Sequence, residues 1–336
     1  MERNPVDAKN VAIQSLDLKI LSILLKDKTT KKNIIWATDD YVSFGAAYSF
    51  SQEITIESIT GINGMVIRPR TEKTKAEQTS RSKGKAEVFT PSWVCNRQNN
   101  LVDAAWFGRE NVFNTELENG WVSTTEKIIF PSVPGKSWKD YVKANRLEVS
   151  CGEAPYLASR YDTVTGAAIA VKDRIGILDR KLRVVSENTT TEQEWVYWAK
   201  WAIQSTYGYD WQGDNIFLAR ENLLYTFAEH YYDKFNVSVH RDYLIMIAKI
   251  LAWNIWQMDG IKYVIPNSCY PDEEEQLDLF GYYVTESCKG CTTGDHSQHK
   301  GIYARTFDWV DQHSVVFRSF VDPKFKREKK KHGTKV

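Results

Sequence analysis

Two short segments each end on a carboxylate, with a long amphipathic stretch between them, and this limits the chain to few architectures. The first is Tyr207-Gly208-Tyr209-Asp210, which runs on into Trp211-Gln212-Gly213-Asp214-Asn215. The second is Asn254-Ile255-Trp256-Gln257-Met258-Asp259. Between them, Ile216, Leu218, Ala219, Leu223, Leu224 and Phe227 share one face of a helix predicted over residues 215–233, and residues 242–251 form a second. Strands alternating with helices predict an α/β fold with a parallel sheet. In such sheets ligands sit beyond the carboxyl ends of the strands, where an acid suits a ribose or a base edge.

At 336 residues the chain can bury a large core. Its net charge of +1 excludes no class of partner, because local patches outweigh the sum. Twelve Trp and 17 Tyr stand out, and most of these rings are expected in the core. No apolar run is long enough to span a bilayer, and no signal peptide is read at the start. Five cysteines without an export signal argue against a disulfide framework, so a cytoplasmic location is expected.

Towards the amino end, residues 11–25 have helical apolar spacing, residues 33–38 and 53–59 read as strands, and residues 65–70 close the region. Residues 71–85 are rich in Lys, Arg, Ser and Thr and hold no large aliphatic side chain, which predicts a linker or mobile loop. Thr90-Pro91-Ser92-Trp93 opens a helix. Leu147-Glu148-Val149-Ser150-Cys151-Gly152 is a further strand with a turn after it, and residues 324–336 form a Lys-rich tail.

The order of these motifs carries a resemblance. Phe89-Thr90-Pro91, then Leu147 to Gly152 with Glu153-Ala154-Pro155-Tyr156-Leu157, then Tyr207–Asp210, then Asn254–Asp259, resembles the gamma-type DNA adenine-N6 methyltransferases of restriction–modification systems. The likeness covers residues 80–265. It implies a Rossmann-like α/β core that binds S-adenosylmethionine, preceded by an α+β region and followed by a small zinc-bound tail. The implied divisions are residues 1–80, 81–266, 267–322 and 323–336.

Within that family pattern, Asp210 accepts the ribose hydroxyls, with Trp211 beside it, and Asp259 accepts the adenine amino group with Met258 or Ile255 against the ring. Phe89, Thr90 and Pro91 close over the methionine moiety, and Glu148 or Glu153 binds its ammonium. The turn Ser150-Cys151-Gly152 brings backbone close to the cofactor, which Gly152 permits. Pro155 stands where a small residue is usual.

The family's catalytic Asn/Asp-Pro-Pro-Tyr/Phe tetrapeptide is missing. Its nearest counterpart is Asn267-Ser268-Cys269-Tyr270, which makes Asn267 and Tyr270 the candidates in this chain. The expectation is therefore a modification subunit that acts on double-stranded DNA with a second subunit carrying Asn-Pro-Pro-Tyr. The alternative is a non-catalytic DNA-binding or scaffold subunit derived from a methyltransferase.

Two other patterns stand apart. Cys269, Cys288-Lys289-Gly290-Cys291 and His299, with His296 as an alternative fourth ligand, suit a structural Zn²⁺. Gln276-Leu277-Asp278-Leu279-Phe280 is similar to the peptide by which bacterial proteins dock on the replication sliding clamp. No phosphate-binding Gly-rich loop and no nucleophile–base turn is present.

Overall fold

The computed structural model describes residues 17–85, 90–270, 276–277, 283–284, 288–295, 298–322 and 325. It is mixed α/β. Helices α1 (Leu18–Leu24), α2 (Ile56–Ile59) and α3 (Lys75–Lys85) lead to α4 (Ser92–Phe107). A hairpin of β1 (Asn114–Leu117) and β2 (Gly120–Ser123) precedes α5 (Trp138–Lys143). The central unit is β3 (Arg146–Val149), α6 (Ile177–Asn188), α7 (Glu192–Gln204), β4 (Thr206–Asp210), α8 (Gly213–Phe235), α9 (Arg241–Asn254) and β5 (Ile255–Gln257). After it come β6 (Gln276–Leu277) with β7 (Tyr283–Val284), α10 (Lys289–Thr293), β8 (Arg305–Asp308) with β9 (His313–Val316), and α11 (Arg318–Val321). None of the described helices is long and apolar enough to cross a membrane.

Strands β3, β4 and β5 form one parallel sheet in that order, with Glu148 beside Gly208 and Gly208 beside Ile255. Side chains alternate between its faces. Ile255 belongs to the main hydrophobic cluster with the inward faces of α6 to α9, whereas Tyr209 and Trp256 join Met258, Ile265, Ala304 and Phe317 in a second cluster. The carboxyl-terminal segment therefore covers the face that the helices leave bare. The expected helices at 215–233 and 242–251 are present as α8 and α9, each slightly longer.

The amino-terminal region departs from the sequence reading. Residues 33–38 and 53–59 do not form paired strands: they meet at one isolated bridge, Ile35 to Glu53, and residues 56–59 are helical. A side chain replaces the ladder. The Gln257 amide accepts from Ile35 N–H at 3.0 Å and donates to Ile35 C=O at 2.8 Å, so segment 34–36 is tied to β5 through this one side chain. Gly213 is required beside it, because a Cβ there would lie 2.0 Å from the Ile35 carbonyl oxygen. Residues 71–85 are not a loop either. They form α3, and Arg81, 3% exposed, bonds Asp214 at 2.9 Å and Gln212 at 2.8 Å. Periodicity misses this helix because a buried cation, not an apolar stripe, anchors it.

Ile20, Leu24, Ile34, Trp36 and Ile54 share the main cluster with Phe217, Leu218 and Leu251, so one core spans the boundary drawn at residue 80. Arg220 fastens this arrangement. Fully buried on α8, it donates to the carbonyls of Leu24, Lys26, Ala252 and Ile255, and burial lowers its pKa to about 10. Truncating it strands several buried carbonyls at once. We expect Arg220→Ala to cost about 3 kcal/mol in urea unfolding, whereas Arg241→Ala, at the exposed ion pair with Asp17, should leave the urea midpoint nearly unchanged.

Candidate functional site

A cavity of about 1010 Å³ opens at the carboxyl ends of β3 and β4. Its floor is the turn after β3. Ser150, Gly152 and Ala154 all adopt positive φ there, near 50°, 52° and 63°, which lifts the backbone between them towards the open side. Ser150, Cys151, Gly152 and Glu153 line the cavity, as expected from sequence, and so do Thr90, Glu148, Asp210 and Trp211.

Asp210 is the hinge of the site. It is 8% exposed, and its carboxylate accepts from Gly152 N–H at 2.9 Å, Gln212 N–H at 3.0 Å and the Asn215 side-chain amide at 3.3 Å. Burial raises its pKa, and the Gln212 and Gly152 N–H groups oppose the rise. The acid next to it is handled differently. Asp214 meets Arg81 at 2.9 Å, Lys73 at 3.4 Å and the Tyr41 hydroxyl at 2.6 Å. Burial opposes its ionisation, but the Arg81 and Lys73 charges prevail and hold it well below the usual carboxylate range.

The two glutamates nominated from sequence separate clearly. Glu153 is committed: it accepts from Arg70 N–H at 2.7 Å and from the Tyr161 hydroxyl at 2.6 Å. Glu148 has one oxygen 3.4 Å from Tyr156 N–H, while the other is buried with no hydrogen-bond partner. Burial pushes its carboxyl well up. An ammonium arriving in the cavity would satisfy that oxygen.

Sequence reasoning missed several lining residues. Phe50 comes from the amino-terminal segment and faces Trp211 with ring centroids 6.2 Å apart. Trp211 is pinned by a 2.9 Å bond from its Nε1 to Ala37 C=O. Nothing in the local sequence around Phe50 announces this, since it depends on the Gln257 contact. Gln212 and Asn215 also line the cavity, and both lie in the segment already singled out around Asp210. Helix α4 supplies Gln98 and Asn99, and lacks a side-chain cap of its own; Asp162 provides one, accepting from Ser92 N–H at 2.8 Å.

Other nominated residues lie elsewhere. Asp259 does not line this cavity: one carboxylate oxygen accepts from Ile261 N–H and Lys262 N–H, at 2.9 and 3.0 Å, closing its own turn. Met258 is fully buried in the second hydrophobic cluster, because the chain after β5 folds back under the sheet. Asn267 and Tyr270 flank Cys269, both exposed and neither lining the cavity. Pro91 caps α4 without lining the cavity. Phe89, His296 and the Asp278–Phe280 part of the clamp-like peptide lie outside the described residues; Gln276 and Leu277 pair with β7.

A second candidate site is metal-binding. Ligand atoms of Cys269, Cys288, Cys291 and His299 all lie within 4.8 Å of one another. His299 Nδ1 is 3.7, 3.7 and 3.6 Å from the three sulfurs. A tetrahedral zinc with its usual bond lengths needs an S···N edge of about 3.6 Å. Two glycines make room. A Cβ on Gly290 would lie 2.6 Å from His299 N, and one on Gly301 would lie 2.8 Å from Cys269 Sγ. The cluster could hold a zinc ion, with all four positions filled by protein, as a structural site requires.

Compared with protein-family models, curated proteins and solved structures, the chain matches none.

We expect protein purified without chelator to contain about one zinc per chain by elemental analysis, and Cys288→Ser to lose it; metal-free native protein would refute the site. A second expectation concerns Glu221, on α8 behind the cavity, whose carboxyl burial pushes up to about 8 from an ordinary 4.5. The folded chain therefore binds this proton more tightly than the unfolded one. Its contribution to stability is complete below about pH 4.5 and is lost as pH rises through about 8. Urea midpoints measured across that range should fall less steeply for Glu221→Gln than for the parent.

Proposed function

We infer that the chain is the cofactor-binding part of an S-adenosylmethionine-dependent DNA adenine-N6 methyltransferase, with a Rossmann-like core, acting on double-stranded DNA with a partner subunit. The observation that carries this reading is Asp210. It ends the middle strand of a parallel sheet, bonds the Gly152 turn of the neighbouring strand, and opens on a cavity of about 1010 Å³. An anionic acceptor held by backbone N–H groups, with no ion-pairing cation among the described residues, keeps lone pairs for a diol.

The residues present fit the cofactor with two changes to the family pattern. Glu148, with its unpartnered oxygen, takes the ammonium, and Glu153 instead holds the loop. The aromatic wall of Phe50 and Trp211 takes the adenine face, replacing the Asp259 and Met258 contacts of the pattern. Thr90, on the α4 side, borders the same space. When bound, the cofactor supplies a sulfonium methyl group for in-line displacement by an amine. This chain's work is to bind and orient it, and to exclude water with Phe50 and Trp211. A catalytic Asn-Pro-Pro-Tyr must come from elsewhere, since Asn267 and Tyr270 border the metal cluster.

A second reading, a non-catalytic DNA-binding or scaffold subunit, is favoured by one observation: the Asp259 carboxylate is spent on its own turn. Calorimetric titration with S-adenosylmethionine separates the two. We expect binding by the full chain, weakened roughly tenfold to a hundredfold by Asp210→Asn and by Glu148→Gln. Asp259→Asn should change affinity less than about threefold. Absence of binding in a correctly folded chain would leave the scaffold reading, and loss on Asp259→Asn but not on Asp210→Asn would overturn the assignment of Asp210.

A further inference from the structure

Helix α3 reaches towards the cavity with one buried side chain. Arg81 is 3% exposed, and its two terminal nitrogens face different groups. Nη1 meets the carboxylates of Asp214 at 2.9 Å and Asp40 at 3.3 Å. Nη2 donates to the Gln212 side-chain oxygen at 2.8 Å and to the Asn215 side-chain oxygen at 3.4 Å. Gln212 and Asn215 both line the cavity, whereas Arg81 does not. The ion pair with Asp214 accounts for the docking of α3, but it leaves the second nitrogen without a reason.

The two amides lead on to Asp210. Asn215 Nδ2 donates to Asp210 Oδ1 at 3.3 Å, and Gln212 N–H donates to the same oxygen at 3.0 Å. An amide side chain offers an acceptor at one end and donors at the other. Arg81 claims the acceptor end of Asn215, which turns the NH2 group towards Asp210. The opposite orientation would set oxygen against a carboxylate and NH2 against a guanidinium, unfavourable on both sides. Arg81 likewise holds the side chain of Gln212, the residue whose N–H meets Asp210. A positive charge thus supports the Asp210 carboxylate at one amide's remove, with no ion pair to compete with an incoming hydroxyl. Glu148 on β3, Cys151 in the turn after it and Asp214 on α8 face Asp210 as titratable groups, and each is acidic, so none supplies this support.

We propose that Arg81 is a positioning residue for the ligand site: through the Asn215 and Gln212 side chains it orients the groups that hold the Asp210 carboxylate for a ligand hydroxyl. The identity of that ligand rests on the methyltransferase reading; the positioning does not. Two measurements on the full chain test it: the pH at which the Asp210 carboxyl titrates, by carbon NMR without ligand, and the affinity for S-adenosylmethionine, by calorimetry. Arg81→Lys keeps a charge opposite Asp214 but loses the fork that serves both amides. It should move the Asp210 titration to higher pH, since donors that favour the charged form are lost, and weaken cofactor binding about tenfold. Asn215→Ala should act in the same direction. The double variant should bind no more than about twofold worse than Asn215→Ala, because both changes break one relay. Lys73→Met removes the other cation on Asp214, at 3.4 Å. It should lower the urea midpoint, leave the Asp210 titration in place and keep the affinity within about twofold.

An Asp210 titration that Arg81→Lys leaves unmoved would overturn the proposal. So would fully additive effects in the double variant, or equal weakening by Lys73→Met, which would reduce Arg81 to an anchor for α3. The two claims fail separately. A titration that moves with Arg81→Lys and Asn215→Ala in a chain that binds no cofactor keeps the positioning role and removes the methyltransferase reading. Cofactor binding that ignores both variants removes the positioning role and keeps that reading.

Discussion

The carboxylate of Asp210 joins two strand ends, beside the bond from Cys151 N–H to Tyr209 C=O at 2.8 Å. Its bond to Gly152 N–H fixes the turn after β3 to the turn after β4, and the cavity is the space those turns enclose. A buried carboxylate is costly unless it is paired or well hydrogen-bonded. Here the nearby cations are already allocated: Arg81 and Lys73 converge on Asp214, four residues further on. Asp210 is left with neutral donors, which stabilise its charge without saturating it. That division of labour lets one acid anchor α3 while the other remains available to a ligand.

The amino-terminal segment serves the same site from behind. Through Gln257 it is tied to β5, through Trp211 Nε1 it orients one wall of the cavity, and through Phe50 it supplies the other part of that wall. Arg220 adds the carbonyls of Leu24 and Lys26 to those of Ala252 and Ile255, so displacement of this segment would expose buried polar groups as well as apolar area. The segment thus belongs to the core mechanically, although it contributes no strand to the sheet.

The sequence made some of this legible and hid the rest for identifiable reasons. Strands β3, β4 and β5 with helices α8 and α9 follow from apolar periodicity and from acids at strand ends, signals that are local. The Cys-x-x-Cys spacing likewise pointed to the cluster of Cys269, Cys288, Cys291 and His299, which could hold a metal ion. Phe50, Arg81 and Gln257 were invisible because their contacts at the site are distant in sequence: Arg81 to Gln212 spans 131 residues and Ile35 to Gln257 spans 222. Asp259 was misplaced because an acid after a strand serves equally well as an Asx turn, and the Gly260 that follows it favours that use. Glu148 and Glu153 were indistinguishable until Arg70 and Tyr161 were seen to claim one of them.

The second face of the sheet shows what a metal at the cysteine–histidine cluster would contribute. The cluster that covers it comprises Tyr209, Trp256, Met258, Ile265, Ala304 and Phe317, with Tyr207 and Tyr263 partly buried beside them. A cover of this size gains from a cross-link, because ordering a long segment costs conformational entropy. A zinc held there would join Cys269 at the start of that segment to Cys288, Cys291 and His299 further along, shortening the loop that must be closed before Ala304 and Phe317 reach the sheet. The cover it holds lies over β4 and β5 and stops short of β3, where Leu147 and Val149 remain exposed.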